Sequence, residues 1–305
     1  MNDYKYDIYR PSQSDKLTFT VSAPRRLMLF ICITVLCLVV GSIAVGLLSL
    51  GSSSAARLRI AAVVQDVIMF IIPAIATAVM ITRRPADFIC ARHTPGTVPF
   101  ILILVIAICS IPAMNAVVRW NENLTLPSSM QPMMDWMHGM EDAAKAYTEM
   151  LIGTSGIASL ILAILIVALL AGFSEEIFFR GALQRLLSTS GMNPHGAIWL
   201  AAVIFSAVHM QFFGFVPRLI LGAYFGYLLL WSRSIWLPVA AHALNNAFAV
   251  VAFRLESHAD SASQISTIGQ NPSSVIDFVI IAASVAITAA AIAVMRRSCL
   301  NGAAR

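Results

Sequence analysis

Long apolar runs dominate the chain and are separated by short polar segments. A bilayer core about 30 Å thick needs about 20 apolar residues for each helix that crosses it. The runs that fit this length are 27–50, 60–82, 98–118, 155–187, 195–213, 216–232, 235–254 and 274–295. The pattern therefore predicts an all-α fold, a polytopic bundle of about eight transmembrane helices.

Composition and charge agree with a membrane protein. Of the 305 residues, 59% are hydrophobic and only 11% are charged, which is far fewer charges than a soluble domain carries. The net charge of +5 is interpreted as an excess of Lys and Arg in cytosolic loops, not as a nucleic-acid patch. With the N-terminus inside, fourteen Lys and Arg fall on the cytosolic side and six on the other. We expect a bacterial cytoplasmic (inner) membrane protein with both termini in the cytosol.

The distribution of polar segments suggests four parts of one membrane domain. These are a cytosolic tail (1–26), N-terminal transmembrane helices with an interfacial loop (27–150), a segment that holds the candidate chemistry (151–256), and a last transmembrane helix with its tail (257–305). The connection 119–154 is acidic and rich in Met and Trp, so one or two short interfacial helices are predicted there. A cap over the bundle and a surface helix without a substrate role both remain open.

A charged cluster lies inside the apolar run Ile157–Leu187. It consists of Glu175, Glu176 and Arg180, although a charge in hydrocarbon costs roughly 2.5–3.5 kcal/mol on insertion scales. Glu176 and Arg180 are four residues apart on one helix face, so they are predicted to form a structural ion pair. Glu175 is then free for acid–base chemistry, unless all three only support the fold. Asp66, in another predicted span, could serve either structure or site.

Polar residues on two other predicted helices complete a possible site. His209 and His242 lie inside apolar spans, and Asn246 follows His242 by four residues and shares its helix face. Such a set fits peptide hydrolysis, in which Glu175 activates water, a histidine assists proton transfer, and Asn246 with a histidine stabilises the oxyanion. Alternatively, Glu175, His209 and His242 hold a catalytic Zn²⁺. No HExxH is present, and the spacing leaves both mechanisms open.

Three motifs in this order resemble a known family of membrane proteases. They are Glu175-Glu176-x-x-x-Arg180-Gly181, Phe205-x-x-x-His209 and His242-x-x-x-Asn246. The set is similar to that of the CPBP family, the CAAX proteases and bacteriocin-processing enzymes, also called Abi, which includes the CAAX prenyl endopeptidase and lysostaphin-resistance-type proteins. The resemblance extends over about residues 155–253.

The resemblance assigns a role to each matching position. It implies that Glu175 is the water-activating glutamate, His209 the assisting histidine, and His242 with Asn246 the oxyanion-stabilising pair. Both a metalloprotease and a metal-free glutamate mechanism have been proposed for the family, so the metal stays open.

The sequence as a whole predicts an intramembrane endopeptidase. Its substrates would be membrane-associated peptides or proteins, of CAAX type or of bacteriocin or leader type. The alternative is a catalytically silent immunity or scaffold protein of the same family. A proton-coupled transporter is less favoured, because the helices lack the paired Gly and Pro breaks of inverted repeats.

Overall fold

The computed structural model describes residues 18–50, 54–153, 156–256, 268 and 275–303. Most of the predicted N-terminal tail, and most of the segment that precedes the last helix, lie outside these residues. The N-terminal helices are α1 (Ala23–Ser49), α2 (Ala55–Ile81), α3 (Pro85–Phe88), α4 (Thr97–Cys109), α5 (Ile111–Glu122) and α6 (Gln131–Ile152). They are followed by α7 (Ile157–Thr189), α8 (Pro194–Ala207), α9 (Phe215–Ser232), α10 (Trp236–Glu256) and α11 (Val275–Ala303).

The all-helical membrane fold is confirmed. Six helices in the described residues are long and apolar enough to cross a membrane, and the number is seven if the bent pair α4 and α5 is one span. Each of the eight predicted apolar segments has a helical counterpart. Two of them differ from a plain span, since α8 has only 14 residues and the segment predicted at 98–118 is bent by 52° between α4 and α5.

The bend has a local cause in the sequence. Pro112 occupies the first turn of α5, where proline is tolerated, whereas in a continuous helix it would remove a backbone hydrogen bond and clash with the preceding turn. The chain therefore ends one helix at Cys109 and begins the next at Ile111.

The connection 119–154 differs from the short helices predicted for it. Helix α5 runs on to Glu122, and α6 is a single helix of 22 residues. Trp136 and Met150 are among its exposed apolar side chains, while Leu151 at its end is buried. The Arg59 guanidinium of α2 donates from Nε and Nη2 to the Leu151 carbonyl at 3.1 and 2.9 Å, so this end of α6 is fixed to the bundle.

Two hydrophobic clusters surround α7 and its neighbours. One joins α1, α2, α7 and α8 through aromatic side chains such as Phe30, Phe179 and Phe205. The other joins α4, α9, α10 and α11, with Phe225 among its members. Helix α7 packs against α10, and α8 packs against α9. The charged residues of α7 are thus held between two apolar clusters.

The two helices that carry Asp66, Glu175 and Glu176 are interrupted by π-helical turns. Helix α7 has π-helical turns at Ile164–Leu170 and Ile177–Gln184, on either side of the α-helical stretch Ala171–Glu176. Helix α2 has another at Asp66–Ile71. Such turns change which side chains face a neighbour and are frequent at functional sites.

Candidate active site

The Glu176–Arg180 ion pair is fully buried. The Arg180 Nη1 donates to Glu176 Oε1 at 2.7 Å, and the two side chains are 1% and 0% exposed. The Nη2 of Arg180 donates to the Gly222 carbonyl of α9 at 3.0 Å, and its guanidinium lies 4.5 Å from the centre of the Phe205 ring. The backbone approaches closely here, since a Cβ atom on Gly222 would lie 3.1 Å from that ring. The pair therefore joins α7 to α8 and α9.

A second side chain, His242 of α10, binds the same Glu176 oxygen. Its Nδ1 lies 2.8 Å from Glu176 Oε1, and since a carboxylate paired with arginine accepts hydrogen bonds, Nδ1 carries the proton. The neutral ring then has an unprotonated Nε2, which lies 3.8 Å from Glu175 Oε2. The ring stacks on Phe225, with centroids 4.9 Å apart. The sequence predicted Glu176 as the partner of Arg180 alone and missed this contact.

Close approach of two helix backbones makes this contact possible. A Cβ atom on Gly172 would lie 3.0 Å from the backbone nitrogen of Ala243, so α7 and α10 approach closely at this point. Small residues permit such approach in membrane helices. His242 is the residue before Ala243 on α10, and Glu176 is one turn after Gly172 on α7.

His209 reaches the same point from the end of α8. Its Nδ1 lies 2.7 Å from the Phe205 carbonyl oxygen, which can only accept, so this nitrogen also carries the proton. The Nε2 lies 4.0 Å from Glu175 Oε2. In their neutral forms, both histidines therefore present an unprotonated nitrogen to one carboxylate oxygen.

Glu175 is the residue on which the two histidines converge. Its side chain is 14% exposed, and its Oε2 is buried and accepts no hydrogen bond from the described residues. The separations of 3.8 and 4.0 Å are too long for direct hydrogen bonds. They are short enough for a single water to bridge. Three acceptors around one point favour a water molecule, a proton or a cation between them.

The donor set also suits a zinc ion in its chemistry. Among the described residues, no group of three His, Cys, Asp or Glu stands at metal-coordinating distances. Yet two imidazole nitrogens and one carboxylate are a usual catalytic zinc set, and each Nδ1 is fixed by a carboxylate or carbonyl, as in known metal sites. Glu175, His209 and His242 would hold the ion. It would supply a Lewis acid and lower the pKa of its water.

Asn246 lies one turn beyond His242 and makes a different contact. Its Nδ2 donates to the Val167 carbonyl at 3.1 Å, and its Oδ1 accepts from Asn245 at 3.4 Å. Val167 belongs to the first π-helical turn of α7. The amide group thus joins α10 to α7.

Asp66 lies beside the site. It is buried, its side chain interacts with Ser174 of α7, and its charge acts on Glu175. Of the two roles that the sequence left open for Asp66, this position favours support of the site.

A polar contact between α7 and α9 was missed by the sequence reasoning. The buried Gln184 donates from Nε2 to the Gly226 carbonyl at 3.2 Å, one turn from the contact between Arg180 and Gly222. A signal was present, since Gly222 and Gly226 form a Gly-x-x-x-Gly pattern, which marks close helix packing in membranes.

Comparison with known proteins identifies the segment that carries these residues. Residues 157–248 match the family model described as type II CAAX prenyl endopeptidase Rce1-like. The match shows that this segment is similar to the family. The matched segment is less than a third of the chain and contains Glu175, His209, His242 and Asn246. The resemblance seen in the motifs is thereby confirmed.

One curated relative and the solved structures complete the comparison. The uncharacterized protein YpbD of Bacillus subtilis (strain 168) is 28% identical over 97 residues, which are 30% of this chain and 47% of the relative. The chain thus matches about half the length of that protein. No solved structure matches.

Proposed function

We propose that this protein is an intramembrane endopeptidase that hydrolyses peptide bonds in membrane-associated peptides or protein tails. The observation that carries the proposal is the Oε2 of Glu175, which is buried, accepts no hydrogen bond from the described residues and faces the Nε2 atoms of His209 and His242. A carboxylate in this position can hold and deprotonate a water molecule. The family's CAAX-type protease activity supports the same reaction class.

The proposed reaction uses the two histidines differently. Glu175 takes a proton from water, and the resulting hydroxide attacks the peptide carbonyl. His242 donates from Nε2 to the oxyanion when both of its ring nitrogens carry a proton. His209 transfers the proton from Glu175 to the leaving amine. Asn246 donates its second N–H to the oxyanion.

The proposal is tested by cleavage of a membrane-peptide library with protein purified in detergent. Glu175→Gln preserves the side-chain volume and should lower the cleavage rate by about 10²- to 10⁴-fold, the usual contribution of a general base. Glu149→Gln, an exposed glutamate on α6, is the matched control and should retain the full rate. Full cleavage by Glu175→Ala would refute the proposal. If the protein is instead a scaffold, cells that carry Glu175→Gln should keep the wild-type phenotype.

The metal question needs a separate measurement. Metal content by mass spectrometry on active protein, together with cleavage after chelation, separates the two forms of the mechanism. Zinc at about one per chain, with cleavage lost on chelation and restored on readdition, would identify Glu175, His209 and His242 as its ligands. Cleavage that survives chelation without bound metal would identify Glu175 as the sole activator of water.

The charge distribution supports placement in a bacterial cytoplasmic membrane with both termini in the cytosol. Protease accessibility of terminal tags in inverted and right-side-out vesicles tests this. Digestion of both tags in inverted vesicles alone is expected.

A further inference from the structure

The segment that holds His209 has an unfavourable backbone. Between α8 and α9 the chain turns through residues 208–214, and Met210, directly after His209, has a φ of 54°. A residue with a side chain rarely adopts this left-handed conformation. Such a residue persists only where its surroundings determine the backbone. The position of His209 therefore depends on the contacts that hold this turn.

Asn121 supplies two of those contacts from outside the motif-bearing helices. It lies at the end of α5 and is 1% exposed. Its Nδ2 donates to the Phe212 carbonyl at 3.0 Å, and its Oδ1 accepts from the Val216 backbone N–H at 2.8 Å. Val216 is in the first turn of α9, where N–H groups have no partner within the helix. Asn121 thus caps α9 and holds the turn before it with one amide group.

Other contacts hold the remainder of the turn. Ser206 Oγ donates to the Phe215 carbonyl at 2.7 Å, and Arg218 Nη2 donates to Gln211 Oε1 at 2.6 Å. Asn121 differs from both because it belongs to another part of the chain, 91 and 95 residues from its partners. It fixes the turn relative to α5 by hydrogen bonds, whereas Ser206 and Arg218 act within α8, the turn and α9. The rings of Trp136 and His138 on α6 also pack against Phe212 and Phe213 of the turn.

We propose that Asn121 is a positioning residue that holds His209 in place for the reaction. The inference rests on the proposed function. Phe212 is three residues from His209, so release of its carbonyl frees the turn on the side of the histidine. Displacement of a catalytic group by about 1 Å can lower a rate by roughly 10²-fold. Asn121 lies outside the residues that match the family, and no motif identifies it.

The test compares two asparagines at the same helix end. Asn121→Ala should lower kcat for peptide cleavage by about 10- to 100-fold, with KM unchanged. Asn121→Asp keeps the acceptor for Val216 and loses the donor to Phe212, so an intermediate kcat is expected. Asn123→Ala is the control, because Asn123 is exposed and its side chain donates to the Arg119 carbonyl of the adjoining α5. It should retain the wild-type kcat.

Two further measurements separate positioning from general stability. In a His209→Ala background, Asn121→Ala should cause no additional loss of kcat, since residues that act through one another are not additive. Hydrogen exchange of the backbone should become faster in 209–216 of Asn121→Ala and stay unchanged in α7 and α10. The inference would be overturned if the fold losses of kcat from the two substitutions multiplied in the double variant. It would also be overturned if backbone hydrogen exchange in 209–216 stayed unchanged in Asn121→Ala.

The outcomes also distinguish this inference from the proposed function. Cleavage that does not depend on Glu175 would remove the proposed function, and the role of Asn121 would fall with it. Cleavage that depends on Glu175 but survives Asn121→Ala at the wild-type rate would remove only the role of Asn121.

Discussion

Replacing Arg180 by methionine should destabilise the protein more than any exposed charge substitution. The change removes the guanidinium that lies 2.7 Å from Glu176 Oε1 and leaves the carboxylate buried. At that distance, an effective dielectric constant of 20 gives an attraction of about 6 kcal/mol. Part of this offsets the cost of burying the two charges, and breaking a buried pair typically costs about 3–5 kcal/mol. At roughly 2–4 °C per kcal/mol, Tm should fall by about 10 °C.

The assay is thermal unfolding in detergent at one fixed scan rate, because membrane proteins often unfold irreversibly. The double variant Glu176→Gln/Arg180→Met removes both charges and should recover at least half of the lost Tm. Arg119→Met is the matched control, since Arg119 pairs with Glu122 at 3.9 Å in an exposed position and such pairs contribute about 0–1 kcal/mol. A Tm of Arg180→Met within about 2 °C of the wild type, or a double variant no more stable than the single one, would refute the reasoning.

Three other substitutions give separate tests. Asn246→Ala should lower kcat by about 10²- to 10³-fold if its amide stabilises the oxyanion; a fall in Tm at unchanged kcat would show that it only joins two helices. Gly172→Val should lower both Tm and kcat, because even a Cβ atom at this position would lie 3.0 Å from the α10 backbone. Gly46→Ala is its control, since the space around Gly46 is open, and it should leave Tm and kcat unchanged. Burial and the charge of Asp66 raise the pKa of Tyr147, so its proton is bound more tightly in the folded state. That stabilisation is present below about pH 10 and is lost as pH rises through the folded pKa. In a series of Tm measurements above pH 10, Tyr147→Phe should therefore lose less Tm with rising pH than the wild type. An unchanged slope of Tm against pH would contradict this.

The transmembrane helices and the Glu176–Arg180 pair were predictable because both depend on local sequence. Apolar runs of bilayer length define the spans, and the i,i+4 spacing of Glu176 and Arg180 places them on one face. The bend between α4 and α5 also had a local signal, in Pro112, which hydropathy alone overlooks. Where one residue type or spacing determines the structure, the sequence was sufficient.

Contacts between distant segments could not be predicted in this way. The hydrogen bond between His242 and Glu176 joins residues 66 positions apart, and it depends on how closely α7 and α10 approach. The two contacts of Asn121 extend over more than 90 residues. Periodicity identifies neighbours on one helix, but the pairing of faces between helices depends on the packing of all of them.

The charge distribution of the site favours a cation beside Glu175. Glu176 and Arg180 cancel, which leaves the negative charge of Glu175 in a largely buried position; Asp66 and Arg218, which act on it from farther away, carry one charge of each sign. His242 connects the two glutamates, with Nδ1 on Glu176 and Nε2 facing Glu175. A metal ion beside that Nε2 would lie between the histidine and Glu175. Glu176 is therefore more than half of a structural ion pair, because its contact with Nδ1 fixes which ring nitrogen faces Glu175.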